Sequence, residues 1–275
     1  FSIKKSLLYF HLLTRFIFKR DYKNHFEDSK WIFIHNSKLI NFFNQYSFKL
    51  GMINHSGKLR NTLHRAFNIF LTHAGYERFI SHYPDNESTN IVIPHGFEQL
   101  SESFGLKKNK ILKVISAGRF VSKKGFNDLI KAAEKLQRDN FPVQIELFGS
   151  GPLEAELSKK INDLALKNIR LIGWTEDLHN EFRKADVFCI TSLEEPFGLI
   201  IGEAMMSGLP VISTQTDGAI EIFGTEPEKK GAIYVDFSSP DEIKNAIQAL
   251  SNDEKRLLLA QNAHDNINTN FSLER

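Results

Sequence analysis

Cysteine is all but missing from this 275-residue chain: Cys189 stands alone, inside the apolar run Val187-Phe188-Cys189-Ile190-Thr191. A single thiol excludes an internal disulfide, and its apolar setting reads as a buried, inert side chain in a reducing cytosol. No unbroken apolar stretch approaches the ~20 residues of a membrane-spanning helix, and no signal-peptide pattern is visible. Zinc-finger spacing, RNP-like strings and a clustered basic helix are missing too, so nucleic acid is not expected as a partner. No Asp-x-Asp pair occurs, which removes one arrangement that would suggest a nucleotide-bound metal. Gly149-Ser150-Gly151 contains Gly-x-Gly, but Glu154 stands where the third glycine of a dinucleotide fingerprint should be. That disfavours an oxidoreductase. There is no internal repeat and no low-complexity tract.

What is present is ordinary for a globular protein: 41% apolar and 25% charged residues, with room for two modest α/β domains. The net charge of +2 hides an asymmetry. Residues 1–110 hold 16 Lys and Arg against 8 Asp and Glu, whereas 111–275 hold 19 against 25, so the halves carry +8 and −6. Different domains are the natural reading. The basic half suits an acidic acceptor or an anionic membrane surface. Ser2 to Lys23 reads as a helix with a broad apolar stripe, better suited to packing within a domain than to lying on a membrane. The chain opens on Phe1 rather than Met and stops just after a helical pattern, which reads as a piece of a longer protein.

Short strands are expected at Trp31–Ile34, Phe67–Thr72 and Ile91–Ile93, with a helix from about Ala74 to His82. The stretch between the first two strands is only weakly periodic. After a polar, basic segment from Ser101 to Lys110, strands and helices alternate regularly from Ile111 onward, ending in two helices over 241–250 and 253–267. Such alternation predicts βα units and a doubly wound parallel sheet, whose ligands sit beyond the carboxyl ends of the strands.

The organising segment is Glu195-Pro-Phe-Gly-Leu-Ile-Ile-Gly-Glu203-Ala-Met-Met-Ser-Gly208, set between two apolar runs. Pro196 and Gly198 suit a helix entry, and Gly208 with Pro210 suits a stop, which predicts a helix over about 198–207. The unpaired amides of Phe197, Gly198, Leu199 and Ile200 then form an anion site. Glu195 lies in the turn and Glu203 about 7 Å further along, at 1.5 Å per residue. Carboxylates repel phosphate and accept from hydroxyls. A ligand with phosphate in its middle and polyols at both ends, a nucleotide sugar, fits this pattern.

Ser192-x-x-Glu195-Pro-Phe-Gly-Leu, Glu203-Ala-Met and Gly208-Leu-Pro-Val resemble the donor-site signature of family-four glycosyltransferases, whose Glu-x7-Glu pair matches Glu195 and Glu203. The likeness is close over residues 111–236 and loose over 30–110. It implies the GT-B fold of two Rossmann-like domains: an incomplete N-terminal acceptor-side domain over 1–108, and a C-terminal nucleotide-sugar donor-binding domain over 109–275.

Gly118-Arg119-x4-Lys124-Gly125 is similar to the family's diphosphate-binding loop. Without a metal, fixed cations must stabilise a departing diphosphate, and Arg119 with Lys124 are placed to do so. The resemblance also borders the donor site with Gly149 and, by backbone contacts, Ile172; Trp174 reads as a packing residue. Asp217-Gly218 and Glu221 match the family's Gly-x-x-Glu, behind the site. His35, at the end of the first strand, looks like the family histidine that faces the donor sugar. Two positions depart from the family: Ser150, often acidic there, and His95, usually asparagine.

The resemblance implies a retaining, metal-independent transferase giving an α-linked product, with no cofactor beyond the nucleotide-diphosphate sugar. The acceptor would be a glycan, a lipid-linked molecule or a small molecule, met in the cytoplasm or peripherally at the membrane face. Two other readings stay open: a fragment that binds nucleotide sugar without turnover, and a GT-B-fold sugar-nucleotide epimerase.

Overall fold

The computed structural model describes residues 31–35, 49–55, 67–85, 88–98 and 111–273. The helix expected over 2–23 and the boundary placed at 108/109 lie outside the described residues. Two all-parallel sheets carry the chain. The first has the order β1-β2-β3-β4, formed by Trp31–Ile34, Lys49–Asn54, Phe67–Phe70 and Asn90–Val92. β2 is an element that periodicity missed. Gly51 interrupts its apolar run, because the Phe33 ring occupies the space over it: a Cβ there would lie 2.5 Å from that ring.

The second sheet has six strands: β5 (Leu112–Ala117), β6 (Val143–Phe148), β7 (Ile169–Gly173), β8 (Val187–Ile190), β9 (Val211–Thr214) and β10 (Ala232–Val235). Their spatial order is β10-β9-β8-β5-β6-β7. Sequence order therefore runs one way from β5 to β7, and the other way from β8 to β10. The reversal falls between β5 and β8, which pair directly through Val114↔Val187 and Ile115↔Phe188. In an open α/β sheet this switch point opens a crevice above the strand ends.

Alternation along the central strands feeds two cores. Val114, Ile145, Leu147 and Cys189 face α2 (Phe126–Arg138), α3 (Glu154–Asp163) and α7 (Pro240–Ala249). Ile115, Phe148, Phe188 and Ile190 face α4 (Leu178–Lys184), α5 (Leu199–Met206), α6 (Asp217–Phe223) and α8 (Asp253–Asn270). Helices thus cover both faces, as doubly wound sheets require. Cys189 is fully buried, and burial pushes its thiol up to about 12. α6 is the other element the pattern did not disclose. It is only seven residues long, and its start depends on the Thr216 side chain, which accepts from the Ala219 amide.

The sheets meet through α1 (His73–His82), which follows β3, and through a crossing segment around Phe97. Phe97 N–H donates to Phe271 O at 2.7 Å, and Leu273 N–H donates to Phe97 O at 3.0 Å, so the end of α8 returns to the crossing. Among the described residues no helix is long and apolar enough to cross a membrane.

Leu129 on α2 is fully buried in the first of the two large cores. Leu129→Ala is expected to cost about 2–5 kcal/mol, read as a lower urea midpoint at unchanged slope.

Candidate functional site

Three loops leave the carboxyl ends of β5, β6 and β7 and are stitched edge to edge. Gly118 N–H donates to Phe148 O at 3.0 Å, Gly149 N–H to Gly173 O at 2.8 Å, and Phe120 N–H to Ser150 O at 2.9 Å. The approach is close enough to need glycine at position 149, which sits at φ +135 with space for no side chain: a Cβ would lie 1.9 Å from Gly118 O. These loops floor a cavity of about 520 Å³, within the range of small-ligand sites. Gly118, Arg119, Gly149 and Ser150 of these loops line it, together with Trp174, Leu178 and Ile200.

Across the switch point the β5 loop meets the β8 loop. Leu193 N–H donates to Lys123 O at 2.7 Å, and Thr191 Oγ1 to Lys124 O at 3.2 Å. This brings Lys124 Nζ into an ion pair with Glu195 Oε2, which also accepts from Ser192 Oγ at 3.3 Å. Both side chains are largely covered, at 18% and 14% exposure. A lone charge at that depth would be costly, so each stabilises the other. Arg119 is different. It is exposed over the cavity and forms no side-chain hydrogen bond or ion pair among the described residues.

α5 begins after Gly198, which takes φ +81 as its N-cap. The helix starts within a residue of the expected position, four residues after Glu195. Glu203 stands one turn beyond Ile200, on the same helical face. Burial raises its carboxyl pKa, and the nearby His179 opposes the shift.

Residues assigned through their backbone turn their side chains elsewhere, and the reading of Trp174 needs correction. The ring of Phe197, which is assigned through its amide, is 3% exposed and packs against Phe97, Phe271 and His95. The Leu199 side chain points to solvent, and Ile200 lines the cavity. Ile172 is also outside the lining. The β6–β7 register jumps from Leu147↔Leu171 to Phe148↔Gly173, and this irregularity skips Ile172 and leaves it 43% exposed. The same jump presents Trp174, which is 69% exposed and lines the cavity rather than packing in a core.

His35 heads a row of imidazoles. Its Nδ1 lies 2.6 Å from His55 Nε2 with the rings stacked; His55 stacks on His95 at 6.0 Å, and His95 meets Phe197 edge-on at 5.0 Å. Burial lowers the pKa of His95. His55 and His95 were overlooked as site candidates. The available signal was positional: His55 directly follows β2, and His95 comes three residues after β4. The row ends two residues from Glu195. Among the described residues no group of three or more His, Cys, Asp or Glu could hold a metal ion.

The family model described as Glycosyl transferases group 1 matches residues 97–266. The lipopolysaccharide core biosynthesis glycosyltransferase LpsE of Rhizobium meliloti is 33% identical over 163 residues, 58% of this chain and 46% of that protein. The chain spans less than half the length of the curated relatives it matches. Among solved structures, HepE of Anabaena in complex with UDP superposes with a TM-score of 0.78 at 20% identity, covering 90% of this chain and 76% of that one. TarM of S. aureus, as a mutant in complex with fondaparinux, alpha-GlcNAc-glycerol and UDP, gives 0.75 at 20% identity, covering 89% and 53%. These superpositions place the two sheets in the GT-B fold.

The raised pKa of Glu203 means that the folded state holds its proton more tightly than the unfolded chain does. Its contribution to stability is therefore full below the ordinary carboxylate value and is lost as pH rises through the raised one. Glu203→Gln is expected to melt slightly higher than the parent at pH 7 and to match it at pH 4. Equal melting at both values would contradict this.

Proposed function

Because the chain belongs to the glycosyl transferases group 1 family, we propose that it moves a sugar from a nucleotide-diphosphate sugar to an acceptor, with retention of anomeric configuration and an α-linked product. The observation that carries this reading is the meeting of Lys124 with Glu195 at the switch point, beside a cavity over which Arg119 holds an uncommitted guanidinium. Cation and carboxylate side by side suit a ligand whose phosphate adjoins a sugar.

In this proposal Arg119 and Lys124 hold the diphosphate, together with the first-turn amides of α5. When the bond to the anomeric carbon breaks, its electrons leave with the diphosphate oxygen, and these fixed charges stabilise the developing anion without a metal. Glu195 accepts from the sugar hydroxyls and Glu203 from the ribose hydroxyls. Trp174 lies at the end of the cavity suited to the base, where a flat apolar face favours stacking. His35 faces the sugar from the first sheet, and the row through His55 to His95 links it to the Glu195 turn. UDP in the HepE and TarM complexes supports a uridine donor. The name of LpsE supports surface-glycan synthesis as the setting, with a glycan or lipid-linked acceptor.

The experiment is a panel of nucleotide sugars, followed by calorimetry and by product analysis. Transfer is expected with one donor and is expected to persist in chelator. Glu195→Ala is expected to lower the rate by about a hundredfold or more while affinity for the nucleotide diphosphate is kept. Strict dependence on added divalent metal would overturn the assignment of Arg119 and Lys124. Binding without any transfer would mark a binding-only chain, and an isomerised sugar formed without acceptor would mark an epimerase.

A further inference from the structure

Two helices that contribute no lining to the cavity face each other across the two sheets. Arg78 on α1 reaches Asp217 on α6 with both guanidinium nitrogens: Nη1 donates to Oδ1 at 2.9 Å, and Nη2 donates to Oδ2. This is the bidentate fork that gives an arginine–carboxylate pair its directionality. One turn earlier, the backbone N–H of His73 donates to Glu221 Oε2 at 2.7 Å, and the ring Nδ1 lies 2.8 Å from Glu221 Oε1. The Glu221 side chain is only 8% exposed, so both of its oxygens rely on α1.

α6 is in turn fastened to the turn that carries Glu195. In its first helical turn, Gly218 N–H donates to Glu195 O at 2.9 Å. Gly218 also presses against the backbone of Phe197, where a Cβ would lie 2.0 Å from the carbonyl oxygen. Close-packed contacts of this kind transmit displacement. The path therefore runs from Arg78 and His73, through Asp217 and Glu221, to Gly218 and the Glu195 turn.

We propose that Arg78 and His73 are positioning residues: their grip on Asp217 and Glu221 ties the first sheet to the Glu195 turn and holds that turn in place. The proposal rests on reading Glu195 as the acid that holds the sugar. The cavity itself is lined by residues of the second sheet and its loops and helices. The clamp therefore acts through the turn that carries Glu195 rather than through the cavity lining. It gives the first sheet a part in donor geometry that does not require any of its side chains to touch the nucleotide.

The test is amide hydrogen exchange on the whole chain without ligand, in Arg78→Asp, Asp217→Arg and the charge-swapped double variant. Each single change is expected to speed exchange across residues 193–198 and at Gly218 by about fivefold, the scale of a partly exposed ion pair. The double variant is expected to return it to within about twofold. Arg78→Lys, which keeps the charge and loses the fork, is expected to fall between parent and Arg78→Asp. Faster exchange confined to α1, with the Glu195 turn at its parental rate, would overturn the proposal. So would a double variant no better than the singles. UDP binding in the same variants is read separately: its absence from the parent chain would count against a uridine donor and would leave the exchange result standing.

Discussion

The adjacency of β5 and β8 is the constraint from which the site follows. Sequence order reverses at that pair, so no crossover helix covers the gap above it, and the loops after the two strands face each other over a crevice. Lys124 arrives on one loop and Glu195 on the other. Their pairing compensates two charges that would each be costly if covered alone, and it leaves a basic and an acidic group at one point. Arg119, on the same loop as Lys124, stays exposed over the floor of the cavity. Everything else near the site serves to hold those loops: the missing side chain at Gly149, the carbonyl exchange among the three loop ends, and the first turn of α5.

The first sheet bears on this arrangement in two ways. One is apolar. The Phe197 ring joins Phe97 and Phe271, which fastens the base of the Glu195 turn to the crossing segment and to the return from α8. Aromatic rings in such contacts add directional preference to simple burial. The other is polar, with the imidazole row from His35 to His95 ending on Phe197, and α1 bonded to α6. The Glu195 turn thus has neighbours from both sheets, and its position depends on their apposition.

Much of this was legible in the residues. Regular alternation after Ile111 announced the second sheet, because its strands and most of its helices show their own period. The positions of Gly198 and Pro196 located the start of α5 to within a residue. β2 escaped notice because Gly51 breaks its apolar run in favour of the Phe33 ring, and α6 because its opening Asp217-Gly218 reads as a turn. Phe197, Leu199 and Ile172 sit in the right segments, yet their side chains point elsewhere. A motif specifies backbone placement better than it specifies which face of a turn meets the ligand.

The sequence by itself determined the α/β class, the order of the second sheet's elements, and the family to which residues such as Arg119, Lys124, Glu195 and Glu203 belong. It could do so because periodicity, helix entry and stop signals, and motif spacing are local properties of the chain. Only the tertiary structure decided that Lys124 meets Glu195, that Trp174 rather than Ile172 borders the cavity, that three histidines form one row, and that Arg78 grips Asp217. These partners lie from about twenty to well over a hundred residues apart, or depend on a one-residue jump in strand register. Such contacts arise from strand order and packing, which no local pattern encodes.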